Sequence, residues 1–303
     1  MTEEAKNSDQ QAAGNIIIFY PDRWGEAEKF CFFASSTYKL KPNEAEVLMG
    51  ILGHLNKYNV LFLLAKKLVP TIIDDSLELQ RQGYSDCMRS RELAAIIETL
   101  YCELYSAIDC TRRVIKTIYP KYNGIPSDST SRLFTNTTDG KLDKRIPSPI
   151  INALIDANAD WFPGLRRIRN AVVHSNVGTC GDQEGRIVYW NEIYKAKYKQ
   201  LFIEDVFRSV SLYYDNINRL IGVIFQVFNA TLQDKEMNVL CGIFDGRVYE
   251  RYVSPTKAQD IHSGRCKSFV WFEKEGAPKC PFSSDCGAYN FVLEDREKTE
   301  IDR

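Results

Sequence analysis

Residues 91–119, RELAAIIETLYCELYSAIDCTRRVIKTIY, decide the fold class of this chain. Their apolar side chains recur every three or four residues, as at Leu93, Ile97 and Leu104, and this is the period of an α-helix with one buried face. Pro120 follows directly, and proline cannot continue a helix. The stretch therefore predicts one long amphipathic helix against which other helices can pack.

Two other stretches have the same helical period. One begins near Pro42 and continues to Pro70, which should split or kink it. The other spans about 202–232 and ends the helical part of the chain.

Two shorter helices are predicted between these long ones. The first covers 148–159 and has Pro149 at its first position, where proline is tolerated. The second covers 165–176, after a break at Pro163 and Gly164. Together the patterns predict an antiparallel helical bundle.

Polar and extended stretches divide the chain. Residues 120–147 are rich in Ser, Thr, Asn and Asp and predict a long loop, and 186–190 (RIVYW) predict a short strand. After the last helix, runs such as RVYERYV and SFVWFE alternate with turn residues, which is typical of β-hairpins. We therefore predict a flexible tail over 1–14, a helical domain over 15–234 and a small β-rich C-terminal module over 235–303. The fold class is mainly α.

The composition excludes several classes of protein. Of the 303 residues, 44% are hydrophobic and 12% aromatic, which is more than a disordered chain contains. Lys and Arg number 39 against 40 Asp and Glu, for a formal net charge of -1. This balance argues against a general basic field that coats nucleic acid, so any nucleic-acid site must be local.

The chain is predicted to be cytoplasmic and to have no membrane partner. Its longest uncharged apolar stretch, 220–233, is shorter than the ~20 residues that cross a bilayer. The acidic, polar N-terminus lacks the features of a signal peptide. The nine cysteines are an odd number scattered along the chain, and they are typical of free, buried thiols in a reducing compartment.

Residues 165–175, LRRIRNAVVHS, hold the groups best suited to chemistry. Asn170 and His174 lie about 40° apart on one helix face, whereas Arg169 lies about 140° from His174 and has to curl toward it. Histidine titrates near neutral pH and can move protons, and arginine presents a fork that matches phosphate. Because RNA supplies its own nucleophile, the 2′-hydroxyl, a base, an acid and an anion clamp are sufficient to cleave it.

The stretch from Arg169 to His174, RNAVVH, resembles the R-x4-6-H signature of the HEPN superfamily, in which a polar residue follows the arginine. The order of helices also agrees, and the resemblance covers about 85–232. It implies a HEPN-like bundle and a homodimer whose two motifs face each other across a cleft. It also implies metal-independent RNA cleavage with a 2′,3′-cyclic phosphate product, in which His174 is acid and base and Arg169 clamps the phosphate. Asn170 would then orient the phosphate or hold the helix that carries the motif.

Charged residues near the motif have two interpretations. Arg166 and Arg167 can bind flanking phosphates. Glu103 and Asp109, on the long helix, can orient the motif from outside, or they can belong to a solvated charged face. The sequence leaves both interpretations open.

A second group of residues has the composition of a metal site. It lies in the C-terminal module and consists of Cys241, His262, Cys266, Cys280 and Cys286. Four such side chains can hold zinc tetrahedrally. Their spacing lacks the tight C-x2-C pair of a zinc knuckle, so free thiols are the favoured interpretation and no cofactor is predicted.

The sequence thus predicts a metal-independent endoribonuclease that acts on RNA as a homodimer. The resemblance implies a toxin or antiviral-defence effector, with an antitoxin or a sensor as a further partner. The alternative is a non-catalytic HEPN-type module that binds a nucleotide or a protein. A plain helical scaffold is a third interpretation, and it requires Arg169 and His174 to be buried.

Overall fold

The computed structural model describes residues 25–174, 177–191, 201–244, 247–257, 263–274, 276, 280 and 282–301. The predicted tail over 1–14 and His262 lie outside these residues. Internal contacts divide the chain into two compact units, Leu40–Val227 on one side and Met1–Lys39 with Phe228–Arg303 on the other.

The prediction of a mainly α fold with small β elements is confirmed. In chain order the α-helices are α1 (Glu26–Phe33), α2 (Pro42–Leu68), α3 (Ile72–Gln82), α4 (Met88–Ile118), α5 (Thr130–Thr138), α6 (Ser148–Ala159), α7 (Phe162–Val173), α8 (Val206–Asn229), α9 (Phe269–Phe272) and α10 (Gly287–Ile301). The strands are β1 (Thr179–Gln183), β2 (Arg186–Asn191), β3 (Leu201–Ile203), β4 (Met237–Phe244), β5 (Arg247–Val253) and β6 (Arg265–Cys266).

Helix α4 is the central element of the unit Leu40–Val227. Its predicted apolar stripe is buried, and α2 packs along it in the opposite direction. A Cβ atom on Gly50 would lie 3.2 Å from the Sγ atom of Cys110, and His54 Nδ1 lies 2.6 Å from the Oε2 atom of Glu103. The absence of a side chain at Gly50 therefore lets the two helices approach closely.

The prediction of a loop over the whole of 120–147 is wrong, because α5 forms inside it. The Ser129 hydroxyl accepts a hydrogen bond from the Arg132 backbone N–H at 3.2 Å and caps the helix. Ahead of α5, the buried Arg112 guanidinium donates to the carbonyls of Pro126 (2.9 Å) and Ser127 (2.6 Å). The polar segment is thus ordered by hydrogen bonds from α4, which its own composition does not reveal.

Helix α7 begins earlier than predicted. The predicted break between the two helices lies at residues 160–161 and not at Pro163 and Gly164, since α6 ends at Ala159 and α7 starts at Phe162. Proline is tolerated at position 163 because an N–H group in the first helical turn has no partner within the helix. A Cβ atom on Gly164 would lie 2.5 Å from the Tyr213 hydroxyl oxygen, so the glycine makes room for α8.

A three-stranded antiparallel sheet, in the order β1-β2-β3, follows α7. The strand predicted over 186–190 is confirmed as β2. Glu184 and Gly185 connect β1 to β2 with positive φ angles of 54° and 78°, as the tight turns of two-residue hairpins require. The long last helix, predicted from 202, begins only at Val206 because β3 precedes it.

The other unit contains the sheet β4-β5-β6, with antiparallel pairing throughout. The β-hairpin predicted around RVYERYV is confirmed, but the strand predicted for SFVWFE is wrong, because this stretch forms α9. Phe269 and Phe272 are both buried. Residues three apart share one side of a helix and point to opposite sides of a strand, so only the helix buries both rings together. Helix α10 was also not predicted.

One helical stretch, Pro42–Gln82, is long and apolar enough to cross a membrane by length and composition. Only 22% of its most apolar window is buried. The stretch covers α2 and α3.

Candidate functional site

Helix α7 carries the RNAVVH motif and separates its buried and exposed faces clearly. Phe162, Leu165, Ile168 and Val172 are buried at helical spacing, and they fix which way the other residues point. Val173, the last residue of the helix, is 47% exposed.

The polar residues of α7 lie on its accessible side. The exposed members are Arg166, Arg167, Asn170 and the residue that follows the helix, His174, while Arg169 is partly buried. From Phe162 to His174 the chain has three arginines and no acidic residue. The arginines form no salt bridge with any residue of the described part of the chain. This face therefore has a local positive charge in a protein whose net charge is near zero.

The Arg169 guanidinium lies against α4. Its Cζ atom is 5.1 Å from the centre of the Tyr105 ring, which is a cation–π distance. Nη1 also donates to the Oδ1 atom of Asn170 at 3.2 Å. The structure thus brings Arg169 and Asn170 together, and it holds the guanidinium by its face while leaving other N–H donors for an anion.

The positive charges of the α7 arginines affect the pKa values of two residues on α4. Burial raises the pKa of Tyr105, and the positive charges of Arg169 and Arg166 oppose that rise. Burial likewise raises the pKa of the Cys102 thiol, against the effect of Arg169. The positive potential of α7 therefore extends to the neighbouring surface of α4.

His174 lies immediately after the last residue of α7. Its backbone N–H bonds to the Ala171 carbonyl at 3.3 Å and closes the final turn. The side chain is exposed, and within the described residues its ring forms no hydrogen bond or ion pair. The imidazole is accordingly accessible to a ligand from solvent. This exposure argues against the scaffold interpretation, which requires a buried His174.

Glu98, which the sequence analysis did not select, fixes the chain just beyond the motif. Its Oε1 atom accepts from the Gly178 backbone N–H at 2.7 Å and from the Tyr189 hydroxyl at 2.7 Å. Burial, and after it the hydrogen bond to Glu98, raises the pKa of Tyr189. The available signal was spacing, because Glu98, Cys102 and Tyr105 lie four and three residues apart and so share one face of α4.

Glu103 and Asp109 lie away from the motif and bond to other groups. Glu103 pairs with His54 of α2 at 2.6 Å. Asp109 accepts from the Arg112 guanidinium at 2.9 Å and from the Thr130 hydroxyl at 2.5 Å. The structure gives neither carboxylate a contact with Arg169 or His174, and both stabilise helix packing instead.

Comparison with known proteins gives no match to a protein-family model, to a curated protein or to a solved structure.

Proposed function

We propose that this protein is a metal-independent endoribonuclease of the HEPN type. One observation carries the proposal: an accessible histidine ends a helix face that has three arginines and no acidic residue. A polyanion with its own nucleophile is the substrate that such a surface suits best. RNA meets both conditions, and phosphate contacts by arginine are strong because the guanidinium fork can bind two oxygens.

The proposed reaction is an attack of a ribose 2′-hydroxyl on the adjacent phosphorus atom. A neutral His174 takes the hydroxyl proton while Arg169 and Asn170 hold the non-bridging oxygens, whose negative charge grows in the transition state. The P–O5′ bond then breaks, and a second, protonated histidine supplies the proton to the leaving oxygen. The products are a 2′,3′-cyclic phosphate and a 5′-hydroxyl.

The second histidine would come from another copy of the chain. His54 belongs to the α2–α4 contact, and a single described site contains one imidazole. A homodimer with two adjacent motifs would supply both the base and the acid. A toxin or defence role, with an antitoxin or sensor as partner, belongs to the same proposal.

Helix α2 has an apolar strip that suits a second copy, which we name the α2 seam. Its residues follow one another at alternating spacings of three and four, as in helix pairs, and they are Met49, Gly53, Asn56, Val60, Leu63 and Lys67. The exposed fractions of Met49, Val60 and Leu63 are 52%, 67% and 60%. A Cβ atom on Gly53 would meet nothing within 4 Å.

Two copies of α2 can also pack antiparallel about a two-fold axis between residues 56 and 57. The facing pairs are then Glu46 with Lys67, Met49 with Leu64, Gly53 with Val60 and Asn56 with Lys57, where Glu46, Lys57 and Leu64 flank the α2 seam. Opposite charges meet at both ends, and the smallest side chain faces a branched one. A two-fold interface has this property, because the same surface serves both subunits.

We expect Val60→Lys to convert the homodimer to a monomer, since two lysines would enter the centre of an apolar interface. Sedimentation equilibrium should show at least a tenfold weaker self-association. Thr99→Lys, on the exposed part of α4, is the matched charge control. Glu46→Lys alone should weaken the dimer and Glu46→Lys with Lys67→Glu should restore it. A Val60→Lys protein that dimerises like the wild type contradicts this interface.

We expect the double variant Arg166→Ala, Arg167→Ala to bind RNA with an affinity at least about tenfold lower than that of the wild type, because two charge-assisted contacts to phosphate are lost. The slope of log affinity against log salt should fall by about 0.7 for each contact removed from a single strand. Fluorescence anisotropy with a 2′-O-methyl RNA, which lacks the nucleophile, measures binding without cleavage.

The control for this experiment is Arg132→Ala with Arg186→Ala. Both arginines are exposed and face their own carboxylates, Asp128 and Glu184. Equal affinities of the two double variants would show that α7 does not bind the RNA backbone.

The second candidate function is a non-catalytic module that binds a nucleotide or phosphate. It is favoured by the presence of a single imidazole in the described site, since a monomer has an anion clamp but no acid–base pair. Isothermal titration calorimetry with mononucleotides, together with an RNA cleavage assay, distinguishes the ribonuclease from the binding module. Binding at the α7 face without any turnover of RNA by the dimer would favour the module.

A further inference from the structure

Four cysteines of the C-terminal unit line one cavity. Cys241 lies on β4, Cys266 on β6, and Cys280 and Cys286 on the chain before α10. The sequence has no other cysteine after residue 180. These four cysteines form no disulfide, and all of them are partly or fully buried. Three separate segments of this unit thus bring its four late cysteines to one place.

The cavity combines apolar walls with one buried cation. Its walls include the rings of Tyr249, Phe272 and Tyr289. The Arg251 side chain is also part of the wall and is 4% exposed.

Arg251 directs hydrogen-bond donors at the sulfur atoms. Its Nε atom donates to the Sγ atom of Cys241 at 3.0 Å, and Nη2 lies 3.9 Å from the Sγ atom of Cys286. Nη1 donates to the Ser263 carbonyl at 3.0 Å. A guanidinium that donates to sulfur stabilises a thiolate more than a neutral thiol, because hydrogen bonds to an ionised acceptor are the stronger ones.

We propose that Cys241, Cys266, Cys280 and Cys286 bind one Zn²⁺ ion as four thiolates. Zinc prefers four ligands in a tetrahedral arrangement, and four cysteines form a common structural site. Among the residues that the structure describes, no three Cys, His, Asp or Glu side chains stand close enough to hold one ion. Binding therefore requires the sulfur atoms to move toward the centre of the cavity.

The charges favour this arrangement. Zn²⁺ displaces four thiol protons, so the centre has a formal charge of two minus, and the adjacent Arg251 reduces it to one minus. Zinc binds cysteine as the thiolate, so zinc uptake should release protons.

The ion would also stabilise the unit that contains it. Strand β6 has two residues and α9 has four, and zinc would join β6 to β4 and to the chain before α10, so its binding free energy would add to the stability of this unit. The proposal is independent of RNA cleavage, because the α7 site belongs to the other unit.

The test is the zinc content of the full-length protein, purified in reducing buffer without chelator and measured by inductively coupled plasma mass spectrometry. We expect about one zinc per wild-type chain, and the same content in a Cys87→Ser control, whose cysteine lies between α3 and α4. Cys280→Ser and Cys286→Ser should lose at least nine tenths of the zinc. Less than about a tenth of an equivalent in the wild type, after growth with added zinc, overturns the proposal.

A second measurement covers variants that fail to fold. Co²⁺ added to wild-type protein from which zinc has been removed should give the intense near-ultraviolet thiolate-to-cobalt absorption and the visible bands of a tetrahedral S₄ site, with release of the thiol protons. Zn²⁺ should then displace the cobalt and abolish both absorptions without further proton release. Absence of the thiolate bands contradicts the zinc site, as does a disulfide among the four cysteines in the intact-mass spectrum, or iron with sulfide in place of zinc.

Discussion

We expect the His174→Ala variant to cleave RNA about a thousandfold more slowly than the wild type, because a positioned acid–base group contributes roughly 10²- to 10⁴-fold to a rate. Loss of His174 removes both the base and the acid of a symmetric dimer. The side chain is exposed and bonds to no described residue, so its removal should leave the free energy of unfolding unchanged. Cleavage of a fluorescently labelled RNA at single turnover measures the rate.

The matched control for His174→Ala is His54→Gln. His54 is the other histidine in the described part of the chain, and it contacts Glu103 on α4. This variant should keep most of the cleavage rate, although its stability can fall. If His174→Ala cleaves as fast as His54→Gln, the catalytic assignment is wrong and the observed activity comes from another site or protein.

We expect Phe162→Ala to lower the free energy of unfolding by about 3–5 kcal/mol, the usual cost of removing a buried phenylalanine ring. Phe162 is 1% exposed, and its ring centre lies 3.7 Å from that of Phe134 with the planes 13° apart. The contact joins the start of α7 to α5. Urea denaturation followed by circular dichroism gives the value.

The control for this second prediction is Phe202→Ala in β3, a phenylalanine that is 48% exposed. Phe202→Ala should lower the free energy of unfolding by less than about 1.5 kcal/mol, because much of the ring is already in contact with water. Equal losses for the two variants would contradict the packing described for α7. Since Phe162 anchors the helix that carries the motif, we also expect Phe162→Ala to bind RNA less well.

The sequence predicted the helices whose apolar residues have a clear period. The helix predicted over 91–119 is observed as Met88–Ile118, and its period comes from burial on several neighbours. Helix α5 was missed because its order depends on Arg112, which belongs to a different helix. The helical form of α9 was missed because a four-residue apolar run has no period to distinguish a helix from a strand.

The sequence identified the candidate residues of the site, but it did not identify the tertiary contacts that hold them in place. The spacing placed Asn170 and His174 on one helix face and Arg169 away from His174, and all three have accessible surface. The cation–π contact of Arg169 with Tyr105 and the anchoring of Gly178 by Glu98 depend on how α4 packs against α7 and β1. Such contacts join residues about 60 to 80 positions apart in the chain, and local patterns do not specify them.

The chemistry of the RNA ends tests the central claim most directly. Wild-type protein is incubated with a defined RNA in buffer with EDTA and without divalent ions, while circular dichroism confirms that it stays folded, and the fragments are weighed by mass spectrometry. The proposed mechanism predicts fragments with a 2′,3′-cyclic phosphate and a 5′-hydroxyl from the wild type, and intact RNA from His174→Ala. Fragments with a 5′-phosphate and a 3′-hydroxyl, or cleavage that requires Mg²⁺, would contradict it.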